Sequence, residues 1–127
     1  MLILVRGLPG SGKTTFAEKL LILSYEADDF FIGDNGYDFD VAKLADAHKW
    51  CIEMARTSLR ENKDVAISNT FSTVAEMEPY IVHARCLGHN VVVFRMSGSY
   101  GSVHNVPAHT IERMRERWEN YPGEITI

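Results

Sequence analysis

Apolar residues in this chain fall into short unbroken runs separated by stretches of helical periodicity, and that alternation predicts its elements. Met1-Leu-Ile-Leu-Val-Arg6 is a run of strand length with no polar alternation, the pattern of a strand buried on both faces. Thr15 to Leu21 has helix-forming composition, and Ile22 to Ala27 reads as a second short strand. Gly33-Asp-Asn-Gly36 is a turn signal. Asp40 stands as N-cap to a long helix in which Val41, Leu44, Ala45, His48, Ile52, Ala55 and Leu59 recur at three- and four-residue steps. Those positions predict one inward stripe, ending near Asn62.

Asp64 to Ser68 reads as a third strand and Asn90 to Phe94 as a fourth. Between them, Thr73-Val-Ala-Glu76 has capping-box spacing, but Pro79 opposes a helix begun there. The pattern therefore predicts a short turn over 73–77 and a helix from Pro79 to Leu87, closed by Gly88. Ser97 to Ser102 is expected to be flexible. Pro107 opens a last helix with Ile111, Met114, Trp118 and Tyr121 on one face, and Glu124 to Ile127 reads as a stub strand. Strands alternating with helices imply an α/β fold, with a mostly parallel sheet of four or five strands covered on both faces. Right-handed crossovers then bring the segments after Arg6, Asp28, Ser68–Thr70 and Phe94 to one carboxyl edge.

The first of those segments carries the clearest chemistry. Gly7-Leu-Pro-Gly-Ser-Gly-Lys-Thr14 is a complete match to G-x-x-x-x-G-K-[ST], placed between a strand and a helix as a phosphate loop requires. Its glycines let the backbone turn tightly and aim N–H groups at phosphate oxygens, and the helix N-terminus adds partial positive charge. The nucleotide-binding set is Leu8, Pro9, Gly10, Ser11, Gly12, Lys13, Thr14 and Thr15. Lys13 is placed to neutralise the β- and γ-phosphates, and the Thr14 hydroxyl to join the shell of Mg²⁺. The expected fold is thus a three-layer P-loop NTPase of the nucleotide-kinase type, one domain over residues 1–127. The expected cofactors are ATP, or another nucleoside triphosphate, and Mg²⁺.

Phosphoryl transfer also needs a group orienting the attacking oxygen and positive charge over the γ-phosphate. Asp28 and Asp29, at a strand's carboxyl end, are candidates for the first role, and sequence parity leaves open which one points into the cleft. The third strand ends in Ser68-Asn69-Thr70 with no carboxylate, so Asn69 and Thr70 are candidates for positioning substrate or water. For the fourth component the segment before Pro107 offers His104, and the helix after it Arg113 and Arg117.

Composition narrows this only a little. A net charge of −4 argues against non-specific wrapping of long nucleic acid, yet permits gripping one strand end. Cys51 and Cys86 have no metal-type spacing and are expected as buried, reduced thiols of a cytoplasmic protein. Met1 to Val5 is too short for a signal peptide, and no apolar run is long enough to span a membrane.

The chain resembles the polynucleotide 5′-hydroxyl kinase group of P-loop kinases over about residues 1 to 119. The landmarks are the phosphate loop; Asp28-Asp29-Phe30-Phe31; Tyr37 with Phe39-Asp40; Ala47-His48-Lys49-Trp50; Ser68-Asn69-Thr70; and Val106-Pro107 with Ile111, Met114, Arg117 and Trp118. The resemblance implies that Asp28 is the general base on a 5′-hydroxyl, with His48 and Trp50 by the substrate channel, and Asp29 stands as a further substrate-binding candidate. The acceptor it implies is a nucleic acid 5′ end or a nucleotide. Two departures stand out: no acidic residue closes the third strand, where Phe71 also replaces a common asparagine, and Tyr100, Gly101 and Ser102 occupy lid positions where relatives carry arginines. A small-metabolite or nucleoside kinase of the same fold, and a catalytically weakened ATP-binding module, are the alternative readings.

Overall fold

The computed structural model describes residues 1–101 and 106–127. Five strands form one parallel sheet: β1 (Leu2–Gly7), β2 (Leu23–Tyr25), β5 (Val65–Asn69), β6 (Val91–Met96) and β7 (Ile125–Thr126), in the order β2-β5-β1-β6-β7. A two-stranded antiparallel hairpin, β3 (Ile32–Gly33) with β4 (Gly36–Tyr37), stands apart at the predicted turn. The helices are α1 (Lys13–Lys19), α2 (Leu44–Arg60), α3 (Val74–Cys86) and α4 (Ala108–Glu116). The first strand in sequence is thus the central one, and its carboxyl end is the phosphate loop.

Strand parity explains the layers. Leu4 pairs with Ile67 and Val93 across the sheet, and all three enter a core filled from α2 and α3 by Cys51, Ala55, Leu59, Met77, Tyr80, Ile81 and Ala84. Val5 pairs with Phe94 on the opposite face, where Phe94 meets Phe16 of α1 edge-on, with ring centroids 5.0 Å apart. Both faces are covered, as an all-parallel sheet requires.

Four expectations are corrected. The stripe of α2 that faces the core is Ala47, Cys51, Ala55, Ser58 and Leu59. His48 and Leu44 are exposed, and Val41 is 72% exposed, because the helix rolls to press Ala47 against Ala27 and Phe31. Asp40 does cap, but it caps a 3₁₀ turn at Val41–Lys43 through Ala42 N–H, and α2 begins only at Leu44.

Helix α3 begins at Val74, not at Pro79, and accommodates the proline in its second turn. Its start is held from outside. Glu119 Oε1 accepts from Val74 N–H at 2.9 Å, and the Ser72 hydroxyl donates to Glu76 at 3.1 Å. With fully buried Met77 in the first turns, worth about 1.5–3 kcal/mol, these contacts outweigh the one hydrogen bond that Pro79 forgoes. Cys51 is buried and reduced as expected, whereas Cys86 is free but exposed on the last turn of α3.

Arg6, the last residue of the apolar run, lies within β1 as that run implies. Its side chain is fully buried on the Leu2–Leu4 face. Arg6 Nε donates to the Phe71 carbonyl at 3.0 Å, Nη1 reaches Glu124 Oε1 at 3.1 Å, and the guanidinium lies 4.1 Å from the Trp118 ring centroid. Arg95 reaches the same ring at 4.9 Å. This clasp ties the carboxyl end of β1 to the segment between α4 and β7. Replacing Glu124 by alanine strands a buried cation, so stability should fall by about 3 kcal/mol in urea unfolding. A loss below about 0.5 kcal/mol would mean that Phe71 and Trp118 hold Arg6 without it.

Candidate functional site

The turn from β1 into α1 is set by its glycines. Gly12 is the N-cap of α1 with φ 94°, a left-handed conformation closed to most side chains, and no side chain caps the helix. Its first-turn N–H groups are therefore left to an external acceptor. Gly10 has φ 82°, and a Cβ there would sit 2.5 Å from the Gly101 carbonyl oxygen. Nothing larger fits. Gly7 N–H donates to the Thr70 carbonyl at 3.2 Å, and Tyr100 N–H to the Gly10 carbonyl at 2.7 Å, so the segments after β5 and β6 hold the loop from both sides.

Inside the loop, the Leu8 carbonyl accepts from Ser11 N–H at 3.1 Å and from Lys13 Nζ at 3.1 Å. The Lys13 ammonium is folded back on its own loop beneath the cradle. Burial pulls it down to about 8, against the opposing attraction of Glu26 and Asp28. The Thr14 hydroxyl donates to Glu26 Oε2 at 2.9 Å. Pro9 lies half-buried in the turn, and Thr15 is exposed on the first turn of α1.

Strand β2 ends at Tyr25, two residues short of the predicted end, and this changes which carboxylate stands at the edge. Glu26 is the first residue after the strand and N-caps a 3₁₀ helix, Ala27–Phe31, through a reciprocal capping box with Asp29. Asp29 accepts from Glu26 N–H at 3.0 Å. Burial raises the Glu26 carboxyl above its usual range, with Asp28 and Asp29 pushing the same way and Thr14 and Lys13 opposing. Burial also raises Asp29, opposed by the Glu26 N–H.

Asp28 lies on the same 3₁₀ turn and accepts from the Tyr37 hydroxyl at 3.2 Å. Burial first, and then the charge of Asp28, push Tyr37 up to about 12, so the phenol remains a donor at neutral pH. The Tyr37 ring is stacked with Phe39 at 6.5 Å and 15°, and both residues are exposed. Asn69, from the end of β5, accepts from Ala27 N–H at 2.9 Å and donates to Cys51 Sγ at 3.8 Å. It therefore fixes the 3₁₀ turn that carries the three carboxylates.

The structure thus gathers Lys13, Thr14, Asp28, Asp29, Asn69 and Thr70 at one edge. His48, by contrast, is exposed on α2. Arg113 is exposed on α4, and Arg117 is engaged with Ser72, its Nε donating to Oγ at 2.7 Å. His104 lies outside the described residues. Glu26 and Tyr100 were missed by sequence reasoning. Extending β2 through Ala27 hid Glu26 inside a strand, and the tyrosine's backbone bond to Gly10 leaves no trace in composition.

Mg²⁺ fits the donors present: a loop hydroxyl, a carboxylate on it, and room for phosphate oxygens suit a hard cation that is held by few protein groups. Among the described residues, no group of three or more His, Cys, Asp or Glu side chains forms a metal cage. No helix among them is long and apolar enough to cross a membrane.

Residues 2–100 match the AAA domain family. Human (Homo sapiens) NEDD4-binding protein 2 is 31% identical over 139 residues, an alignment covering 95% of this chain and 8% of that protein. The chain therefore spans only a small part of that relative. Among solved structures, Chaetomium thermophilum Kti12 in complex with ADP-AlF3 superposes with a TM-score of 0.73 at 15% identity, covering 100% of this chain and 88% of that one. A gluconokinase from Sinorhizobium meliloti 1021 gives 0.65 at 16% identity, covering 98% and 80%. The chain belongs to the AAA domain family and has the fold of the P-loop kinases.

Proposed function

We propose that this domain binds ATP, or another nucleoside triphosphate, with Mg²⁺ and transfers the γ-phosphoryl group to a hydroxyl of a nucleic acid or nucleotide, with a 5′-hydroxyl end as the leading acceptor. The observation that carries this reading is Asp28, held by Tyr37 on a turn beside the phosphate loop, with the Tyr37–Phe39 stack exposed next to it. A carboxylate there is placed to take the acceptor's hydroxyl proton, and aromatic faces are what nucleobases stack on.

In this reading the first-turn N–H groups and Lys13 hold the phosphates. The Lys13 ammonium exchanges the Leu8 carbonyl for phosphate oxygens, and Thr14 contributes its hydroxyl to the cation. A Mg²⁺ held through the Thr14 hydroxyl and the nucleotide would supply positive charge against that developing on the transferred group. Asp28 orients the attacking hydroxyl and accepts its proton as the new phosphorus–oxygen bond forms and the bond from the γ-phosphorus to the β–γ bridging oxygen breaks, the nucleoside diphosphate leaving with that oxygen.

The second reading is an ATP-binding module with weakened catalysis. It is favoured by the arginines: Arg117 is engaged with Ser72, and Arg113 stands exposed on α4. A small-metabolite kinase is the third, and the acceptor decides among them. Transfer of radiolabelled γ-phosphate to a panel of 5′-hydroxyl oligonucleotides, nucleosides and small hydroxylated metabolites should label the oligonucleotides best. Lys13→Ala and Asp28→Asn should each lower transfer at least a hundredfold, about the scale of losing a positioned base. Nucleotide binding with no labelled acceptor would favour the module, and full activity in Asp28→Asn would remove the base assignment.

Phe39→Ala should raise KM for the oligonucleotide several-fold, with kcat changed less, since stacking on one aromatic is worth about 1–3 kcal/mol per base, whereas Tyr37→Ala, which also removes the hydroxyl that holds Asp28, should lower kcat as well. Equal KM for wild type and both variants would detach the rings from the acceptor.

Lys13 gives a pH signature. A bound polyphosphate favours the ammonium form, so the lysine's pKa rises on binding and the protein takes up a proton. The free enzyme is about half protonated at Lys13 near pH 8, so calorimetry in buffers of different ionisation enthalpy should show uptake of about half a proton there. Uptake should vanish below about pH 6.5 for this group, where Lys13 is already charged, and it should be absent in Lys13→Ala. Binding without buffer dependence at pH 8 would contradict the buried, depressed lysine.

A further inference from the structure

We propose that Glu26, working with Thr14, is the carboxylate through which this chain holds the divalent cation of its bound nucleotide. The proposal rests on the nucleotide-binding reading above and adds a role for a residue that neither the motif nor the resemblance assigned. A P-loop hydroxyl and a strand-end carboxylate together position Mg²⁺ in nucleotide-hydrolysing P-loop proteins. Here the strand neighbouring β1 on that side, β5, ends in Ser68 and Asn69. Asn69 is uncharged and already committed to Ala27 and Cys51. The carboxylate that does reach Thr14 comes from one strand further out. Glu26 follows β2, at the edge of the sheet, and its Oε2 accepts from Thr14 Oγ1 at 2.9 Å.

The geometry is compatible with a metal on the same hydroxyl. Thr14 Oγ1 has one proton, given to Glu26, and lone pairs that remain for a cation. The Glu26 carboxylate is also gripped by the Asp29 N–H within the capping box, so it is held in place before any ligand arrives.

A second, independent observation points into the same space. The Ser68 side chain, in a residue only 3% exposed, has a hydroxyl with no hydrogen-bond partner among the described residues. It lines a small cleft of about 80 Å³ together with Thr14, Glu26 and Asp29. A buried hydroxyl is costly to leave unpaired, and a water of the cation's shell is a partner of the right size and polarity. Glu26, Asp28 and Asp29 also put three carboxylates against the single ammonium of Lys13, an excess that a divalent cation offsets. Because the protein offers so few direct donors, the site is completed by phosphate oxygens and forms only with nucleotide bound.

The test is calorimetric binding of AMPPNP to the intact chain, in excess Mg²⁺ and in EDTA. Wild type should bind more tightly with Mg²⁺. Glu26→Gln keeps an acceptor for Thr14, so the fold should be retained; loss of one negative charge beside the phosphates should leave the EDTA affinity equal or higher, so the proposal requires the affinity in Mg²⁺ itself to fall. The gain from Mg²⁺ should drop on the order of tenfold or more. Ser68→Ala, with Glu26 untouched, should lower the gain by a smaller factor, which provides a second reading if Glu26→Gln is poorly folded. An unchanged Mg²⁺ gain in both Glu26→Gln and Ser68→Ala overturns the proposal and leaves nucleotide binding standing. Failure of wild type to bind AMPPNP under either condition overturns both.

Discussion

A backbone that turns back on itself between β1 and α1 while keeping its N–H groups outward is the constraint on which the rest of the structure depends. Left-handed φ at Gly10 and Gly12 makes the turn, but glycines alone would leave it loose. The neighbouring strands fix it. Thr70, after β5, takes the N–H of Gly7, and Tyr100, after β6, gives its own to Gly10. Both contacts are main-chain, so they depend on the sheet order that puts β1 between those two strands. Lys13 completes the arrangement by donating to Leu8, a bond that holds the ammonium close to where phosphate would replace the carbonyl.

The charge around the loop follows a second constraint. Three carboxylates sit on one turn of chain, and the turn itself is tied to β5 by Asn69 and closed by the Glu26–Asp29 capping box. Such a cluster is electrostatically unfavourable alone, which is why burial and mutual repulsion push Glu26 and Asp29 upward while Thr14 and Lys13 pull Glu26 back. Carboxylates perturbed in this way recur at sites where charge is brought in from outside.

How far the sequence was legible depends on the range of the force involved. The phosphate loop, strands β1, β5 and β6 and helix α4 were readable because local pattern and tertiary need agree there. Where they disagree, the pattern misleads. Pro79 is a helix breaker by local rules, but Glu119, 45 residues on from Val74, supplies the start of α3. The inward face of α2 was displaced by a roll that presses Ala47 onto a 3₁₀ turn, an element with no periodic signature of its own. Arg6 looked like the polar end of a buried strand. Its burial rests on Trp118 and Glu124, more than a hundred residues away, and no local window contains them. In the site the same logic applies. Lys13 and Thr14 were legible from the motif, whereas Glu26 became visible only once β2 was seen to stop at Tyr25.

The clasp at Trp118 bears on catalysis through the arginines it removes from other use. Arg6 and Arg95 both lie on the Trp118 ring, Arg6 with Glu124 as partner and Arg95 with Asn120, and Arg117 is hydrogen-bonded to Ser72. These guanidinium groups stabilise the junction of α4 and β7 with the sheet. In phosphoryl transfer an arginine over the γ-phosphate is worth about 10³–10⁵ in rate where it is the main transition-state charge. With Arg6, Arg95 and Arg117 committed to holding the carboxyl-terminal segment, the proposed transfer would draw that stabilisation mainly from Lys13, the loop amides and the cation. The more of the burden the cation carries, the more the carboxylates that place it matter. That is the proposed link between the arginines gathered at Trp118 on one side of β1 and the acidic turn after β2 on the other.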